Sequence, residues 1–172
     1  FDTLAEAVAA AKAGATVTFV RDAVGAGVVI DKNITIDFNG KTYTFNEGVG
    51  STGTKSNGFQ ILKGNDVVLK DGTLNVDAQA ADKFYILVQN YANLAVTDMV
   101  LDGTNLDKYS LTDGDSYTLS NNSGNVVVNG ATTIIANNDG DLAFAFDACK
   151  NADYTAPVVT IADTVVVNGA GE

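Results

Sequence analysis

The chain predicts an all-β solenoid, in which short parallel strands stack coil on coil behind one amphipathic helix. Three observations lead there. Residues 28–45, VVIDKNITIDFNGKTYTF, set three short runs of β-branched and aromatic residues between Asp, Asn and Gly corners. Pairs of aliphatics with one residue between them recur at Ile34/Ile36, Val67/Leu69, Leu94/Val96, Val126/Val128 and Val159/Ile161, at intervals of 33, 27, 32 and 33 residues. Residues 1–14 carry the one convincing helical pattern, so no helices interleave with the repeats.

In the helix, Thr3 followed by Glu6 forms a capping box, and Leu4, Val8 and Ala11 fall on one face. Gly14 is placed to end it in a left-handed conformation. A strand over 16–20 follows, then the repeats, as a single domain over 1–172 with about five coils over 15–169. Within each anchor the outer two residues point into the coil and the middle one faces out. Asn33, Asp66, Asn93 and Asn125 precede four of the five anchors as turn residues. Further β-rich pieces come at 41–45, 73–76, 99–101, 132–135 and 164–167. Corner loops at 47–58, 77–83, 103–115 and 137–141 absorb the uneven spacing. An antiparallel sandwich is the rival, with hairpin turns at Asp71-Gly72, Asp102-Gly103 and Asn129-Gly130. The repeated anchors and the leading capped helix favour the solenoid. Only five residues follow the last aliphatic run, so its open edge requires a longer chain or a second subunit as a cover.

Composition removes several functions. Twenty-one acidic residues against 10 basic give a net charge of −11 and a pI near 4.1. That field repels phosphate backbones and anionic membrane surfaces, so neither nucleic acid nor a bilayer is an expected partner. No apolar run approaches the ~20 residues a membrane-spanning helix needs. There is no His, which removes the commonest general acid/base and transition-metal ligand. Cys149 is alone, so it forms no intrachain disulfide, and among Phe144, Phe146 and Ala148 it reads as a small buried hydrophobe.

The segments FDTLAEAVAAAKAGATVTFV and VVIDKNITIDFNGKTYTF resemble the opening of right-handed parallel β-helix proteins, the pectate-lyase-like superfamily. Many of its members begin with a short helix that caps the first coil. The resemblance is close over residues 1–45 and looser to 169. It implies a right-handed parallel β-helix with an N-terminal capping helix, of the kind found in bacterial surface proteins and phage tail or head fibres. It does not carry a function, because that scaffold serves lyases, hydrolases, adhesins and purely structural parts.

The lyases of that superfamily use a basic residue beside Asp-held Ca²⁺. The only Arg here, Arg21, lies ahead of every anchor, and the lysines are scattered singly, so no lyase residue transfers. Glycoside hydrolysis needs two carboxylates, and Asp71, Asp98 and Asp163 occupy equivalent positions that stacking brings together. Their plainer role is at corners, where Asp bonds its own backbone. Asp113, Asp115, Asp139 and Asp141 concentrate hard oxygen ligands in two loops suited to weak Ca²⁺ binding, without the spacing of a known calcium motif. No other cofactor is expected. Tyr91, Tyr109 and Tyr154 are the candidate recognition residues, since Tyr joins an apolar body to a polar tip. The resulting expectation is a non-catalytic structural or adhesive module, extracellular, on a cell surface or virion, with glycans as partners. A polysaccharide lyase or glycoside hydrolase using Asp carboxylates is the alternative.

Overall fold

The structure is a computed structural model that describes residues 1–50, 56–80, 83–84, 86–102, 109–112, 116–120, 122–124, 128–129, 133–136, 138–149 and 158–161. Its elements are α1 (Leu4–Ala10), β1 (Ala15–Thr18), β2 (Ala23–Ala26), β3 (Val28–Ile30), β4 (Ile34–Glu47), β5 (Asn57–Ile61), β6 (Asp66–Val76), β7 (Ile86–Asn90), β8 (Asn93–Leu101), β9 (Tyr109–Thr112), β10 (Ser116–Ser120), β11 (Val128–Asn129), β12 (Thr133–Ala136), α2 (Asp139–Cys149) and β13 (Val158–Ile161).

At the amino end the local chemistry is as the residues dictate. The Glu6 N–H donates to Thr3 Oγ1 and the Thr3 N–H donates to the Glu6 carboxylate, both at 3.2 Å. Leu4 and Val8 are buried beneath the helix. The other end is held by a side chain 24 residues on. Lys32 Nζ donates to the carbonyls of Val8, Ala9 and Ala11 at 3.2, 3.5 and 3.4 Å, meeting orphan acceptors at the negative pole of the helix. The helix stops at Ala10, earlier than the sequence pattern. Gly14, at φ 80°, instead shapes the turn into β1, where the Ala15 N–H donates to the Lys12 carbonyl.

Among the described residues the strands form two sheets, and every pairing between named strands is parallel, with an isolated antiparallel bridge from Val49 to Asn57. One has eight strands in the order β1-β4-β6-β8-β10-β12-β13, with β2 also paired to β4; the other has five, β11-β9-β7-β5-β3. This corrects the expected right-handed β-helix. About five like coils are replaced by two ordinary parallel sheets of unequal width, with α1 at the amino end. The column that begins Ile34, Val67, Leu94 continues through Tyr117, Ile134 and Val159. Val126, the anchor expected in this column, lies outside the described residues. Strands of the larger sheet also shorten from 14 residues in β4 to 4 in β12, and α2 enters between β12 and β13. A triplet of β-branched residues is a generic strand signal. Matching such triplets at a near-constant spacing imposed a period that strand pairing does not follow.

Each long strand bends once, at a left-handed residue. Asn39, Asp71 and Asp98 have φ of 51°, 56° and 53°, a region that Asn and Asp tolerate better than other non-glycine residues. These corners are bends inside β4, β6 and β8, and Asp71-Gly72 is no hairpin turn. Gly72 is needed at its corner because a Cβ there would lie 2.5 Å from the Lys41 carbonyl oxygen and overlap Phe38 Cβ. Between the sheets lies an apolar interior in which Phe38, Phe45, Phe59 and Phe84 are wholly buried. Phe19 stacks on Phe38 at 4.9 Å, Phe45 meets Tyr43 and Phe59 edge-on at 5.1 and 5.0 Å, and Phe84 lies 6.3 Å from Phe45. Fully burying each such side chain stabilises the fold by about 1.5–3 kcal/mol.

Candidate functional site

Parallel pairing turns the corners into columns of polar side chains. The Asp66 N–H donates to Asn33 Oδ1 at 2.9 Å, and Asn93 Nδ2 donates to Asp66 Oδ1 at 3.0 Å. The three residues that sequence assigned to turns thus bridge successive strands of the larger sheet. Asn90 is buried and closes the β7–β8 corner on its own, with Nδ2 donating to the Ala92 carbonyl at 2.7 Å and Oδ1 accepting from the Ala92 N–H at 2.9 Å. Asn122 does similar work further on, accepting from the Met99 N–H at 3.0 Å and donating to the Val96 carbonyl at 2.7 Å.

Titratable groups sit mainly on the outer faces. Asp37 and Lys70 are register partners, with Lys70 Nζ 2.9 Å from Asp37 Oδ2. Lys70's hydrogen bond holds the Asp37 carboxyl below its ordinary value, aided by the Asn39 N–H, and Asp37 in turn raises the Lys70 ammonium. Burial pushes the Tyr43 phenol up to about 12, and its hydroxyl donates to the Ala26 carbonyl at 2.8 Å. Asp71 and Asp98 occupy the same corner on neighbouring strands, between the pairs Lys70–Thr97 and Gly72–Met99. Adjacent strands lie about 4.8 Å apart, so the backbones of these two carboxylates are neighbours at a separation comparable to the ~5 Å of retaining hydrolases. Asp163 lies outside the described residues.

No family model, no curated protein and no solved structure matches this chain.

The structure disperses the residues singled out from the sequence. Tyr91 lies at the exposed corner after β7, with its N–H donating to the Ile61 carbonyl at 2.9 Å. Tyr109 opens β9 opposite Ile86. Tyr154, Asp113 and Asp115 lie outside the described residues. Within the loop expected over 137–141, residues 139–141 open α2, with Asp139 as its first residue. Asp141 is fully buried there, its N–H donating to Asn138 Oδ1 at 2.9 Å and its carboxylate accepting from Asn138 Nδ2 at 2.8 Å, an Asn-led helix cap. The signal was present in Asn138-x-x-Asp141 ahead of Leu142-Ala143-Phe144-Ala145. Among the described residues no three His, Cys, Asp or Glu side chains are grouped to hold a metal ion. No described helix is long and apolar enough to cross a membrane.

Sequence reasoning missed a set of amides on the smaller sheet. Asn57 Nδ2 and Gln60 Nε2 both donate to the single oxygen Gln89 Oε1, at 2.8 and 2.7 Å. Gln60 and Gln89 are register partners on β5 and β7, and Val29 of β3 precedes them in the same row. Residues 57 and 58 fall at the end of the corner loop expected over 47–58, and instead they open β5. Gly58 is in a strand because its backbone packs against the Leu87 carbonyl and the Phe45 ring, both 2.6 Å from where a Cβ would stand.

Proposed function

We propose that this chain is a non-catalytic, rigid structural or adhesive module of an extracellular surface or virion protein. The observation that carries the reading is the interior: a continuous aromatic and aliphatic core between two parallel sheets, whose polar columns tie one strand to the next. Residues of that kind maintain a shape. The neighbouring carboxylates of Asp71 and Asp98 support the second reading, a polysaccharide-cleaving enzyme, and both sit at left-handed corners where they also have a backbone role.

Two measurements test the proposal. The folded chain is incubated with acidic and neutral polysaccharides while reducing ends and unsaturated products are followed; no release above the blank is expected. Turnover abolished by Asp71→Asn or Asp98→Asn would overturn the non-catalytic reading. Antibodies raised against the chain are expected to label intact cells or particles of its source without permeabilisation. Labelling restricted to lysed material would remove the surface assignment.

A further inference from the structure

We infer that the outer face of the smaller sheet, at its β3–β5–β7 end, is a binding site for a neutral saccharide. The inference names a ligand class for the adhesive part of the proposed function and rests on that reading. Register places two short rows side by side. One is Val29, Gln60 and Gln89. The other follows one pleat along at the strand ends: Asp31, Leu62 and Tyr91, kept in line because the Leu62 N–H donates to the Ile30 carbonyl at 2.8 Å and the Tyr91 N–H to the Ile61 carbonyl at 2.9 Å.

Four observations specify the chemistry. Val29, Leu62 and Tyr91 are 42%, 37% and 38% exposed, which makes an apolar strip at a corner otherwise built of Asp, Asn and Lys. A tyrosine ring and an aliphatic neighbour present the surface that the C–H face of a sugar ring fits. Beside it, the shared oxygen of Gln89 fixes both glutamines. Gln89's amino group and Gln60's carbonyl have no further partner among the described residues, so the pair offers two donors and an acceptor from one fixed position. A vicinal pair of hydroxyls, each both donor and acceptor, matches that set. Finally, Asp31 in the second row is paired with Lys32 at 3.8 Å, and the chain as a whole carries a charge of −11, so a uronate or sulfated sugar is disfavoured relative to a neutral one.

The test titrates the folded chain with cello-, xylo-, manno- and chito-oligosaccharides, and with oligogalacturonate as the anionic probe, reading backbone amide shifts. Saturable binding of at least one neutral oligosaccharide is expected, with shifts centred on residues 60–62 and 89–91. Tyr91→Ala and Gln89→Glu are each expected to weaken it at least tenfold. The second keeps an oxygen that accepts from Asn57 and Gln60 and replaces the amino donors with a second, charged acceptor. Val100→Ala, an exposed aliphatic on the other sheet, is expected to leave affinity unchanged. If either variant fails to fold, the shift map of the unaltered chain decides. No binding of any neutral probe, tighter binding of oligogalacturonate, or shifts centred elsewhere would overturn the site. Absence of binding leaves the non-catalytic reading standing, whereas sugar release overturns that reading and not the site.

Discussion

Replacing Asn90 by Ala removes a side chain that touches no ligand and yet holds a corner. Asn90 is completely buried and Ala92 is 1% exposed, so the two Ala92 backbone groups it serves have no ready access to water. Truncation strands one N–H and one C=O. Each buried unsatisfied group costs about 1–3 kcal/mol, so Asn90→Ala is expected to lose about 2–6 kcal/mol. The lower end applies if a water enters the space. Asn90→Asp refines the prediction. Its carboxylate still accepts from the Ala92 N–H, but it faces the Ala92 carbonyl and is desolvated, so its folded-state pKa lies above the unfolded value of about 3.9. The sign follows from linkage: that variant is closest to the parent below pH ~3.9 and falls behind as pH rises through the raised pKa. Urea unfolding followed by circular dichroism measures both, at neutral and acid pH, with the parent as reference at each. A loss below about 0.5 kcal/mol for Asn90→Ala, with an unchanged m-value, would refute the reasoning.

Three further outcomes are expected. Gly72→Ala should cost more than about 2 kcal/mol in the same assay, because the added methyl meets the Lys41 carbonyl and Phe38 Cβ, neither of which is the free end of a side chain. Lys70→Met should return the Asp37 carboxyl, followed by carbon NMR, towards its ordinary 3.8. With Asp37 lowered and Lys70 raised, the pair's contribution is present between about pH 4 and 10.5, fades on either side, and weakens with salt. One of the six tyrosines should ionise near pH 12 in an ultraviolet titration, and Tyr43→Phe should abolish that step. The same replacement should lessen the harm done by Gly25→Ala, whose methyl would stand 2.5 Å from the Tyr43 hydroxyl, so the two changes should be non-additive.

How far the sequence spoke depended on the range of the interaction. Thr3 and Glu6 are three residues apart, and their capping box was legible and is present. Asn33, Asp66 and Asn93 were legible as turn residues, though not as a hydrogen-bonded column, because strand pairing alone brings together residues about 30 positions apart. Long-range register was misread. Tyr117 and Ile134 take rungs assigned to Val126, since local β-propensity does not say which segments pair. Helix α2 was overlooked because Asn137-Asn138-Asp139-Gly140-Asp141 was read as a polar ion-binding loop, and the same spacing is also a cap. The amides of Asn57, Gln60 and Gln89 have no sequence signature at all; parallel pairing of β5 and β7 assembles them.

The parallel register of the larger sheet is the claim on which the core and the corner columns depend, and cross-linking reads it directly. In a Cys149→Ser background, Val68→Cys with Ala95→Cys joins half-buried register partners on adjacent strands, about 4.8 Å apart and within the reach of a disulfide. Val68→Cys with Thr118→Cys spans two rungs, about twice that distance. Mild oxidation of the folded chain is predicted to close an intramolecular disulfide in the first pair and not in the second. Closure in the second pair alone, or in neither, would contradict the account.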